Sequence, residues 1–189
     1  MLALLFASIL GLVYSADLPK GTLGIYCLIA DDTVANYTST STWTPNLYDY
    51  QINGANVIFL TFLNPVSMPN VPPAMAALAK CKGQSGCPSA STPVIFSVGG
   101  YSYSMKAWPW LATQAAAESM AAEVATWDTK YGADGIDLDI ETGPSGNSQE
   151  QSNNLVAFAK KLRELNPNFL ITQPVFGYPQ VTAENTMVN

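Results

Sequence analysis

Histidine is absent from all 189 residues. Its absence removes every His-based triad, every His-ligated zinc site and any imidazole proton shuttle. Charge is scarce as well: 12% of residues are charged, with eight Lys and Arg against fourteen Asp and Glu, a net of −6. An acidic chain without a basic cluster is unsuited to nucleic acid or an anionic membrane surface, so neither is expected as a partner. There is no Gly-X-Y period and no heptad, which removes collagen and coiled coil. Chemistry is left to carboxylates, Tyr, Ser, Lys and Cys, and no cofactor is expected.

What is present is 48% hydrophobic residues, enough for one sizeable core and too apolar for disorder. Residues 1–16 read MLALLFASILGLVYSA. The run Leu2–Val13 is shorter than the roughly 20 residues a spanning helix needs. Val13 and Ser15 stand at the −3 and −1 positions before Ala16, although no Lys or Arg precedes the run. Residues 1–15 therefore read as a secretory signal peptide, residues 16–189 as one domain, and the product as extracellular. No other stretch is long and apolar enough to cross a membrane. In an oxidising compartment Cys81 and Cys87, flanking the polar loop KGQSG, are expected to pair, with Cys27 a buried thiol in an apolar run. Asn36-Tyr37-Thr38 is a glycosylation sequon.

Along the chain, strands alternate with helices. Strands are expected at Thr22–Ala30, Ala55–Leu63, Pro93–Val98, Gly135–Glu141 and Phe169–Phe176. A short Ala-rich helix follows the loop Asn64–Pro73, and longer helices are expected over Trp110–Tyr131 and Gln149–Leu165. This alternation predicts parallel β/α units with the sheet covered on both faces. A doubly wound sheet and a (β/α)8 barrel both satisfy it.

The informative segment is Asp134-Gly135-Ile136-Asp137-Leu138-Asp139-Ile140-Glu141. On a strand, Asp137, Asp139 and Glu141 share one face, while Ile136, Leu138 and Ile140 share the other. Like charges ~6–7 Å apart in a dry interior repel and raise at least one pKa. The useful outcome is a protonated acid beside an ionised base. A cation site is the weaker reading, because the glycine is wrongly placed for a calcium loop, and no metal is expected. An edge strand with its polar face in water conflicts with helical patterns on both sides.

At these residues the sequence resembles glycoside hydrolase family 18, the chitinases and chitinase-like proteins. DGIDLDIE matches the family's DxxDxDxE signature, and Ser97-Val98-Gly99-Gly100 matches its SxGG element. Tyr26 and Phe62 stand where the family has its first-strand Tyr and second-strand Phe. The resemblance covers residues 22–178 and implies a TIM-type (β/α)8 barrel. It implies retaining, substrate-assisted cleavage of β-1,4-linked N-acetylglucosamine polymers, in which the sugar's own acetamido carbonyl is the nucleophile. Glu141 would be the general acid/base, Asp139 would orient the acetamido group, and Asp137 would share a proton with Asp139. Tyr26, Phe62, Gly99, Gly100 and Gln173 would line the sugar site, and Asp134 and Ser97 would be structural. Trp108, Trp110, Tyr101 and Tyr103 are candidates for stacking on sugar rings, Trp127 reads as core, and Trp43 is a further candidate.

Only about five β/α units are recognisable, so the expected barrel is incomplete, without the family's sixth-strand Tyr and eighth-strand Trp. The sequence is therefore expected to be the front part of a longer barrel. Bare first and fifth strands would also favour self-association. The alternative to an enzyme is a non-catalytic lectin of the same fold that holds chitin or N-acetylglucosamine oligosaccharides.

Overall fold

A computed structural model describes residues 18, 20–28, 54–84, 87–103, 108–141 and 149–174. Five parallel strands form one sheet: β1 (Gly24–Leu28), β2 (Val57–Leu63), β3 (Val94–Gly99), β4 (Gly135–Asp139) and β5 (Leu170–Thr172). Their order in space is their order in sequence, β1-β2-β3-β4-β5. A doubly wound sheet reverses direction at a switch point; this sheet never does, so it follows the course of a barrel wall. The expected signal peptide, Asn36 and Trp43 lie outside the described residues.

Four helices are described: α1 (Pro73–Lys80), α2 (Gln114–Val124), α3 (Trp127–Tyr131) and α4 (Gln149–Leu165). Proline fits the first turn of α1, where an N–H would have no partner. The single helix expected over Trp110–Tyr131 is instead a 3₁₀ turn at Pro109–Leu111 followed by α2 and α3. The reason is local hydroxyl chemistry. Thr113 caps α2 by accepting from the Ala116 N–H at 3.2 Å, and the Thr126 hydroxyl takes the Glu123 carbonyl at 2.7 Å, ending that helix. Gly132, at φ 75°, stops α3 in a left-handed cap. Asn166 ends α4, its side-chain amide donating to the Ala125 carbonyl at 3.1 Å and to Asp128 at 2.9 Å.

The two faces of the sheet differ. On the outer face Ile58, Leu60, Phe96, Val98, Ile136 and Leu138 pack under the helices, against Leu78 of α1, Ala121 of α2, Trp127 of α3 and Phe158 of α4. On the inner face Val57, Phe59, Ile95 and Leu170 make a separate small cluster. Gly135 makes room there, since a Cβ would meet Leu170 at 2.6 Å. This apolar layer is the floor on which the polar residues stand.

Candidate active site

In register, Ser97 of β3 pairs with Asp137 of β4, and Asp137 pairs with Thr172 of β5. These residues form the inner layer just above Ile95, Gly135 and Leu170. Asp137 is 1% exposed and receives three hydroxyls. Tyr26 donates to Oδ2 at 3.2 Å, Ser97 to Oδ2 at 2.8 Å and Thr172 to Oδ1 at 2.7 Å. Among the described residues no cation donates to it. Burial pushes the Asp137 carboxyl above the ordinary carboxylate range, and the hydrogen bonds from Thr172, Ser97 and Tyr26 pull it back only in part. The Tyr26 phenol is raised in turn, first by burial and then by the negative charge of Asp137 and its hydrogen bond. Tyr26 stacks on Phe59, ring centres 4.6 Å apart and planes 10° from parallel, yet stays 46% exposed. One edge of its ring is thus open above a fixed floor.

Asp139, 8% exposed, closes β4. Its carbonyl accepts the Gly100 N–H at 2.8 Å, and the next N–H, of Ile140, turns back to the Leu138 carbonyl at 2.9 Å. The strand therefore ends two residues short of the expected Glu141. The ladder cannot continue once these groups are spent. Asp137 and Asp139 share the inner face as alternation requires. Glu141 follows the turn at the rim, half-buried, at the carboxyl end of the sheet where β/α folds carry chemistry.

Other expected residues are placed differently. Gly99 and Gly100 both have positive φ, 109° and 83°. A Cβ on Gly99 would strike the Asp139 carbonyl and the Trp108 ring, and one on Gly100 would press on the Phe62 ring at 3.0 Å. These glycines admit protein atoms: the carboxylate strand and Trp108 beside Gly99, and the Phe62 ring of β2 beside Gly100. Trp108 and Trp110 are not stacking platforms open to solvent. Both are buried, 5.6 Å apart between ring centres, with Trp110 packed on Phe158 at 4.9 Å. Trp127 is core. Tyr101, 81% exposed, is the open aromatic beyond β3, and Tyr103 beside it is half-buried. Gln173 does not reach Asp137. Its amide nitrogen and oxygen are buried without a partner, and the polar residue that β5 contributes is Thr172. Thr172 was legible only as a position alternating with Leu170; nothing local announced its partner.

Asp134 lies at the other end of β4. Its carboxylate takes Lys82 at 2.6 Å and the Val94 N–H at 2.7 Å, while its backbone joins β3 and β5. Lys82 was missed; its signal is that it is the one charged residue inside the Cys81–Cys87 loop. Those cysteines are joined as a disulfide, their Cα atoms 5.8 Å apart. Cys27 is a free thiol, buried and pushed up to about 11 by that burial.

The family model for glycosyl hydrolases family 18 matches residues 33–181. The chain belongs to this family. Solved structures agree on the fold. A chitinase from Rhizomucor miehei is 18% identical, with TM-score 0.58, over 85% of this chain and 49% of that one. A family 18 chitinase from Cycas revoluta, solved in complex with (GlcNAc)3, is 17% identical, with TM-score 0.56, over 80% of this chain and 45% of that one. The chitinase domain of the spore coat protein CotE from Clostridium difficile is 18% identical, with TM-score 0.51, over 80% and 41%. No curated protein matches significantly. This family 18 chain thus spans less than half the length of the chitinases it matches, and its five strands are an incomplete (β/α) barrel of TIM type.

Proposed function

We propose that this family 18 chain carries the acid–base half of a secreted chitinase-type glycosidase. Its substrate is a β-1,4-linked N-acetylglucosamine chain, cleaved with retention and with the sugar's acetamido oxygen as nucleophile. The observation that carries the reading is the Asp137 cluster. A buried carboxylate held by three hydroxyls, with no cation beside it among the described residues, is an expensive arrangement, and Asp139 and Glu141 follow it toward the rim of the sheet. Glu141, at the rim, gives its proton to the glycosidic oxygen as that bond breaks. As a carboxylate it then takes a proton from the water that opens the oxazolinium ring. Asp139 orients the acetamido group and offsets the charge that develops on the ring. Asp137 holds the proton that Asp139 gives up as that charge grows. Tyr26, fixed on Phe59 and open on one edge, borders the sugar at this point.

Three further observations support the reading. The family 18 chitinase from Cycas revoluta was captured with (GlcNAc)3, which makes N-acetylglucosamine oligomers the natural first substrates to offer. The Cys81–Cys87 disulfide fits an oxidising compartment and hence export. The apolar leader at residues 1–15 fits the same route.

The test is hydrolysis of N-acetylglucosamine oligomers by the protein and by Glu141→Gln, with the anomer of the first product read by NMR. The expected result is β product from the parent and none from the variant, with oligomer binding kept by both. Binding without turnover in the parent, unchanged in the variant, would instead establish a lectin. An α first product would overturn the retaining mechanism.

A further inference from the structure

Asp137 offers two oxygens, and the β1 and β3 donors both converge on one of them. Tyr26 and Ser97 bond Oδ2; Oδ1 is left to β5, whose Thr172 hydroxyl reaches it at 2.7 Å. We propose that Thr172 is a positioning residue for the carboxylate pair: its hydroxyl locks the rotamer of Asp137 and sets how strongly that side of the pair holds the shared proton. The inference rests on the proposed acid–base roles of Asp137 and Asp139, and it concerns a residue that those roles do not require.

The argument is geometric. A carboxylate held through Oδ2 alone can swing about its Cβ–Cγ bond; a second fixed contact on Oδ1 removes that freedom. The backbone holds Thr172 to the task, because Asp137 and Thr172 are paired in register. Leu170, two residues earlier, packs into the apolar floor, so Thr172 is the next inward residue. A threonine hydroxyl also works in both directions. It donates to the ionised carboxylate and can turn to accept from the protonated acid. Valine has the same shape and does neither.

Among the described residues the titratable groups facing Asp137 are few. β1 brings Tyr26, and β4 itself brings Asp139. β2 carries no titratable side chain, while β3 and β5 bring only the hydroxyls of Ser97 and Thr172. Thr172 is the foremost of the three hydrogen-bonding influences that favour the charged form. Losing it should raise the pH at which the pair releases its first proton by about one unit.

The experiment compares the full protein with Thr172→Val and Thr172→Ser. The first readout is the carboxyl carbon titration of Asp137 by NMR on aspartate-labelled protein, assigned with Asp137→Asn. Valine is expected to move that titration upward by about one pH unit, and serine to restore it. The acid limb of kcat/KM on N-acetylglucosamine oligomers should move with it, at little change in KM. An unmoved titration in folded Thr172→Val, or an equal shift in Thr172→Ser, overturns the proposal. A shifted titration with an unmoved acid limb also overturns it as a statement about the catalytic pair. If the parent hydrolyses nothing, the proposed function falls separately, and the titration still decides whether Thr172 governs the Asp137 proton. Should valine unfold the chain, Thr172→Ala carries the same expectation.

Discussion

Two aspartates three residues apart, Asp134 and Asp137, flank the start of one strand and have opposite surroundings. Asp134, before β4, meets a lysine and a backbone N–H, and its own backbone ties β3 to β5. Its carboxylate is compensated, and the arrangement explains itself as structure. Asp137, within β4, is deeper and among the described residues meets only hydroxyls. Hydroxyls soften the cost of a buried charge without cancelling it, so the proton on this carboxylate stays negotiable. A cation beside Asp137 would make the strand more comfortable and fix that proton's absence. The lower end of the strand is built to hold; the exchange of protons at the upper end belongs to the proposed function.

Each end can be attacked separately. The largest effect is expected at the rim. Glu141→Gln should cost a factor of about 10²–10⁴ in turnover, the usual scale of a positioned proton donor, while the unfolding midpoint stays within a degree or so of the parent. A large fall in stability would mean that Glu141 belongs with Asp134 as a structural group. At the lower end, replacing both Cys81 and Cys87 by alanine should cost about 2 kcal/mol, because a loop of this size is released mainly in the unfolded chain. Denaturant unfolding measures this, and turnover per folded molecule should not change. Lys82→Met should cost about 1 kcal/mol, the scale of a partly exposed charged hydrogen bond, with turnover again untouched. If turnover falls instead, the two ends are coupled and the contrast fails.

The smallest effect is a slope. The folded-state pKa of Asp137 is raised above its unfolded value. Between those two pKa values the native state binds more protons than the unfolded one. Its contribution is therefore full below the unfolded pKa and is lost as pH rises through the folded one. Thermal unfolding followed across that acidic window should show this decline for the parent and a flatter profile for Asp137→Asn. An identical slope in both proteins would show that burial leaves Asp137 unperturbed.

Much of the fold was legible because its signals are local. Ile136 and Leu138 alternating with Asp137 and Asp139 mark a strand with two different faces, and that needs only the period of two. The single helix expected over Trp110–Tyr131 failed for a local reason that periodicity ignores, the capping hydroxyls of Thr113 and Thr126. Trp108 and Trp110 face inward, against expectation, because a position after a strand end does not say which way a ring turns. Packing decided that, by folding both rings into the core, Trp110 on Phe158 and Trp108 against Trp110.

By itself the sequence determined the alternation of strand and helix, the spacing of the carboxylates on β4 and the family to which those motifs belong. These are properties of neighbours along the chain. Tertiary structure alone decided which carboxylate is compensated. Asp137 meets Ser97 from 40 residues away, Thr172 from 35 and Tyr26 from 111, and Asp134 meets Lys82 from 52. Such meetings depend on the register of strands in the sheet, and register is set by the packing of both faces together, which no single segment encodes.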